Sequence, residues 1–115
     1  MDERRGLIVA AALSAALAVA AGAFGAHGAA SEQAAQWLRT GGMYQLVHAV
    51  AAVALASRHP RSAAVLLLGA AIFALTLYAM ALGAPRWLGA VTPIGGALLI
   101  AGWICVAIST WRGST

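Results

Sequence analysis

"GAFGAHGAAS", residues 22–31, lies where the first long apolar run of the chain meets its first polar stretch. The run before it decides the fold. Residues 6–26 carry no charge, and a hydrocarbon core of about 30 Å needs about 20 apolar residues in a helix. The stretch therefore reads as the end of a membrane crossing. His27 stands among glycines and alanines at that end, which raises the question of what a histidine does there.

Composition agrees with this reading. Of 115 residues, 63% are hydrophobic and 9% are charged, against roughly 45–50% and about 25% in a soluble domain. A soluble fold this small would have to expose much of that apolar surface to water. The expected fold class is all-α: one integral membrane domain over residues 1–115. The opening "MDERR" followed by apolar and small residues resembles a secretory signal. Signal h-regions are about 7–15 residues, however, so residues 6–26 are expected to remain as a span.

Four segments have the length and apolarity of spans or nearly so: about 6–26, 41–57, 62–82 and 87–111. With short connections between them they predict an antiparallel four-helix bundle. Residues 31–39, "SEQAAQWLR", differ in character. Ser31 is a good N-cap, Glu32, Gln36 and Arg39 share one helical face, and Ala34, Trp37 and Leu38 fall on the other. This pattern predicts a short amphipathic helix in the interface, after the first span. A plain polar loop is the alternative.

Seven arginines and no lysine stand against Asp2, Glu3 and Glu32, for a net charge of +4. They come in ones and twos between apolar runs and build no continuous basic surface, which argues against nucleic acid as a partner. Arg4, Arg5, Arg58, Arg61 and Arg112 fall on one side of four crossings, Arg39 and Arg86 on the other. The excess places both termini in the cytoplasm. Cys105 is the single cysteine and has no partner for an internal disulfide.

The first segment carries a stripe of small residues, Ala11, Ala15, Ala18, Gly22 and Gly25, with Leu13, Leu17 and Phe24 opposite. In lipid, such a stripe lets two helix backbones approach closely.

Few residues offer chemistry. His27 either caps its helix, where a donor or cation complements the dipole, or joins other polar groups. Tyr44 and His48 stand i and i+4 on one face of the second segment. A histidine at that depth must face protein or water, and Tyr44, Thr92 or a backbone carbonyl are its candidate partners. "VTPIGG" (91–96) places Pro93, Gly95 and Gly96 early in the fourth segment. A kink is expected there, with a broken helix as the sharper alternative. No metal site, cofactor motif, P-loop or nucleophile–base pair is present, neither histidine has a haem spacing, and no carboxylate lies within a span. No enzymatic activity is expected.

Four motifs then carry a resemblance: "GAFGAHG" (22–28), "YQLVHAVA" (44–51), "LYAMALG" (77–83) and "TPIGGALLIAGW" (92–103). In this order they resemble the YgdD-like family of small bacterial inner-membrane proteins, a domain-of-unknown-function family. The resemblance covers nearly the whole chain. It implies a four-helix multi-pass protein of the inner membrane and supplies no activity. The residues matching its motifs are His27, Tyr44, His48, Tyr78, Thr92, Pro93, Gly95, Gly96 and Trp103. One departure is visible: where the family tends to carry an "FSGSLY"-like stretch, this chain has "FALTLY" (73–78), in which only Thr76 keeps a hydroxyl.

Depth along the segments, at 1.5 Å per residue, groups His27, Tyr44, His48, Tyr78 and Thr92 in the outer half as a candidate polar pocket. Two functional expectations follow. The first is a structural or interaction component that packs with itself or with a larger inner-membrane complex. The second is binding or transport of a lipid or small molecule through that pocket.

Overall fold

A computed structural model describes residues 2–113. Among them the chain forms α1 (Glu3–His27), α2 (Glu32–Leu55), α3 (Pro60–Ala81), a short 3-10 helix (Arg86–Ala90) and α4 (Thr92–Trp111), with no strand. We call the end that holds Asp2 and Gly113 the near end, and the opposite one the far end.

Local chemistry sets the boundaries. The Asp2 carboxylate accepts the Arg5 N–H at 2.8 Å and starts α1. The Ser31 hydroxyl accepts the Ala34 N–H at 3.0 Å and starts α2; each satisfies an amide that the first helical turn leaves unpaired. Pro60 opens α3 in a first-turn position where no amide proton is needed. At the other end of α3, Gly83 adopts φ +104°. Its N–H and that of Ala84 bond the carbonyls of Met80 and Ala79 at 3.1 and 2.9 Å, and this left-handed turn closes the helix.

Two segments differ from their sequence-based expectation. Residues 31–39 do not form a separate interfacial helix. They are the first turns of α2, which runs unbroken for 24 residues. The reason lies in its apolar side. Ala34 and Leu38 are buried, and Leu38 packs where a Cβ on Gly25 of α1 would meet its own Cβ at 3.0 Å. That surface faces a neighbouring helix and not the interface. Gly41 and Gly42, which could have broken the helix, are buried within it. Pro93 likewise produces neither a mid-helix kink nor an unwound segment. The chain turns through the 3-10 helix before it, and Pro93 falls in the first turn of α4, where its fixed φ favours helix initiation.

Consecutive helices pack antiparallel. Gly42 of α2 crosses α1 so closely that a Cβ would lie 3.1 Å from the Ala18 carbonyl oxygen. Gly41 lies against the Tyr78 ring of α3, and Gly69 of α3 against the Gly95 carbonyl of α4. Ala11, Ala52 and Ala63, one from each of α1, α2 and α3, meet in a cluster without exposed surface. Leu66 is the one large side chain among the described residues that is fully buried. Large apolar residues instead point outward: Leu13, Met43, Val50, Leu68 and Ile100 are all more than half exposed. Small residues inside and large ones outside suit a solvent of lipid tails, where association comes from close contact and not from escape from water.

Three helices have the length and composition of membrane spans: α1, α3, and the continuous stretch Arg86–Trp111. α2 is as long but carries Glu32, Arg39, Gln45 and His48. It lies between α1 and α3, with α1 also approaching α3, whereas α1 and α4 do not pack together. The bundle is therefore open along one side.

The Gly69–Gly95 crossing yields a test. A methyl on Gly95 would fall 2.6 Å from the Gly69 carbonyl oxygen and collide with the Phe73 backbone. Gly95→Ala should destabilise the protein by about 1–3 kcal/mol in mixed-micelle unfolding. Gly96→Ala, whose methyl meets only the Phe73 ring at 4.0 Å, should stay within about 0.5 kcal/mol of wild type.

Candidate functional site

Polar side chains inside the bundle form three separate clasps, each joining helices that the chain connects by turns or not at all. In the first, Gln45 of α2 is 3% exposed and bridges two neighbours. Its Nε2 donates to Ser14 Oγ on α1 at 3.0 Å, and its Oε1 accepts the Tyr78 hydroxyl of α3 at 2.7 Å. One amide thus ties three helices, using its donor and acceptor ends in opposite directions.

The second clasp centres on His48. Its Nδ1 lies 2.6 Å from the Tyr44 carbonyl oxygen one turn back, and Trp103 Nε1 of α4 lies 3.0 Å from its Nε2. A carbonyl can only accept and an indole N–H can only donate. The ring must therefore be neutral, with its proton on Nδ1. A second proton on Nε2 would set a donor against a donor, and a metal there would displace Trp103. The Tyr44 ring stacks parallel to His48 with centroids 6.2 Å apart and lies 4.6 Å from that of Phe73.

The third clasp joins α3 to α4 through two hydroxyls, Thr76 Oγ1 and Thr92 Oγ1, 2.6 Å apart. Thr76 also lies 2.8 Å from the Ile72 carbonyl oxygen. The chain Thr92 to Thr76 to Ile72 uses one proton per hydroxyl and leaves none unpaired.

Of the five candidate pocket residues, Tyr44 and His48 stand together with their rings stacked, Tyr78 and Thr92 belong to the other two clasps, and His27 to none. Tyr78 and Thr92 are buried, in two different clasps. Tyr44 is 45% exposed, with its ring against Phe73 of α3 and beside His48. His27 is exposed on the last turn of α1 at the far end, beside Gly28, whose N–H bonds the Phe24 carbonyl at 2.7 Å. His48 lies sixteen residues into α2, about 24 Å from its far end. The two histidines do not meet. The unbroken course of α2 carries His48 past the helix midpoint, whereas a span starting at residue 41 would have left it near the far end. Of the glycines, Gly25 and Gly95 sit at tight crossings, while a Cβ on Gly22 would meet nothing.

Gln45, Ser14 and Thr76 were not singled out as site residues. Gln45 stands three residues before His48 on the same helical face, and an amide in an apolar run carries the same signal as a histidine. Among the described residues every buried side-chain nitrogen or oxygen has a hydrogen-bond partner, and no three His, Cys, Asp or Glu side chains gather.

A family described as "Protein of unknown function (DUF423)" matches residues 21–96. The chain is 38% identical to a UPF0382 membrane protein of Haemophilus influenzae, over 90% of this chain and 92% of the relative. It is 35% identical to a UPF0382 membrane protein of Staphylococcus saprophyticus, over 91% and 96% respectively. The UPF0382 inner membrane protein YgdD of Escherichia coli K12 is 35% identical, over 94% and 91%. No solved structure matches the chain significantly.

The Gln45 clasp makes a quantitative prediction. In a double-mutant cycle of Gln45→Leu and Tyr78→Phe, read by unfolding in mixed micelles, the two changes should be coupled by about 0.6–2 kcal/mol, the range for interhelical hydrogen bonds in membranes. Additive effects would mean that the bond contributes nothing.

Proposed function

The chain belongs to the DUF423 family of membrane proteins, and from that premise we propose that it works by packing, as a non-enzymatic component of the bacterial inner membrane. α2 completes four crossings, and both termini lie in the cytoplasm with Arg4, Arg5, Arg58, Arg61 and Arg112. The protein associates with a second copy of itself or with a larger membrane complex.

The observation that carries this reading is how the polar groups are used. Gln45, Tyr78, His48, Thr76 and Thr92 are bonded to partners within the chain, and among the described residues every buried side-chain nitrogen or oxygen already has a partner. The open side of the bundle supports it further. A crevice of about 600 Å³ at the near end runs along α3 and α4, lined by Ser62, Val65, Gly102, Cys105 and Ser109, with Glu3 of α1 and His59, Pro60 and Arg61 also in its lining. Small side chains of this kind allow another helix to approach its backbone. The naming of the Escherichia coli relative as an inner membrane protein supports the location.

Cys105 reports on this surface, because it is the single cysteine, exposed, and part of the crevice. Oxidative cross-linking in native membranes should give a product heavier than the monomer: twice its mass for a second copy, another mass for a different partner. Cys105→Ser should abolish it. A chain that stays monomeric under oxidation and purifies alone in mild detergent would refute the reading.

A further inference from the structure

At the far end a groove of about 580 Å³ follows α3 between α2 and the 3-10 helix. Its walls are Phe73, Leu77, Met80 and Pro93, and Trp37 and Arg86 stand where it reaches the end of the bundle. We propose that this groove holds an acyl chain of an anionic phospholipid, with the Arg86 guanidinium on the lipid phosphate. The inference stands apart from the packing reading, which concerns the opposite end.

Charge complementarity carries the argument. The Arg86 guanidinium lies 5.6 Å from the centre of the Trp37 ring. An aromatic face orients the cation and leaves its charge unneutralised. No carboxylate pairs with Arg86 among the described residues, although Glu32 lies at the same end. Its planar fork of N–H donors fits two oxygens of a phosphate. Below the cation the groove has no free polar group. Thr92, the one hydroxyl in its lining, is already bonded to Thr76.

Depth agrees with the chemistry. Phe73 to Met80 spans seven residues of α3, about 10 Å, which lies within the roughly 15 Å of hydrocarbon belonging to one leaflet. An indole and a guanidinium at the upper end match the headgroup level, where Trp and Arg anchor membrane proteins. A soluble anion would leave the apolar walls unused. A neighbouring helix without a carboxylate at this level would leave the cation unanswered.

The test is native mass spectrometry of the purified full chain, given equal amounts of dioleoyl phosphatidylglycerol and dioleoyl phosphatidylcholine. The wild type should retain phosphatidylglycerol preferentially. Arg86→Gln should lower that retention about tenfold, the loss expected for a charge-assisted bond. Gly89→Leu tests the groove without touching the charge. Gly89 lines it and is exposed, and a Cβ there meets only the Met80 side chain at 3.8 Å, so the variant should fold and lose both lipids. Arg61→Gln, at the near end, should behave as wild type. Equal retention of the two lipids by the wild type, a preference that survives Arg86→Gln, unchanged binding in Gly89→Leu, or an equal loss in Arg61→Gln would each overturn the proposal.

Discussion

The Gln45 amide is the interaction on which the arrangement of α1, α2 and α3 depends. Bonded to Ser14 on one side and Tyr78 on the other, it is itself only 3% exposed. A polar group buried without a bond costs more than a made bond contributes, because its desolvation is then uncompensated. The three helices can satisfy the amide only in one relative register. Sliding α1 or α3 by one turn, about 5.4 Å, would break a bond and leave two orphaned groups. The alanine cluster at Ala11, Ala52 and Ala63 adds contact energy, but methyl groups tolerate sliding far better than a bidirectional amide does.

Attachment of α4 follows a different logic. It lies on α3 through the Gly69–Gly95 crossing and the threonine pair, and it reaches α2 through a single side-chain bond, Trp103 to His48. That bond requires a neutral imidazole with its proton on Nδ1, and the Tyr44 carbonyl selects that tautomer. The histidine is thus committed to holding α4 in place. α1 has no comparable tie to α4, which explains why the bundle closes around α2 and α3 but stays open between its first and last helices.

Much of this was legible in the chain before any coordinates. The apolar runs, the serine start of α2, and the inward face of the first helix follow from local rules that the tertiary fold does not override, whereas the role of Pro93 as a helix starter does not show in a run that is apolar on both sides of it. The tight approaches at Gly25 and Gly95 lie within motifs that the sequence marked. The course of residues 31–39 was not legible, because Glu32, Gln36 and Arg39 give the same amphipathic pattern whether the opposite face meets headgroups or another helix. Only the position of Gly25 across from Leu38 decides between them. The unbroken course of α2 carries His48, with Tyr44 stacked beside it, away from His27. Gln45 is inconspicuous in the sequence because a neutral amide carries no charge or titration signal, although in lipid its two-sided bonding makes it the stronger organiser.

The departure at "FALTLY" can be understood on the same terms. A hydroxyl is tolerated inside the bundle only where a second group can bond it. Thr76 meets this condition, with Thr92 and the Ile72 carbonyl both in reach. Position 74 does not: Ala74 is wholly buried in an apolar cluster with Ala21 and Leu38, where Tyr78 turns its ring to the cluster and its hydroxyl to Gln45. A serine at 74 would have to bond back to its own helix, as Ser and Thr do to the carbonyl one turn earlier, and would gain no neighbour. Position 75 carries an exposed leucine, which suits a lipid-facing surface. Here the stretch is apolar at 74 and 75 and keeps its hydroxyl at 76, where two helices share it.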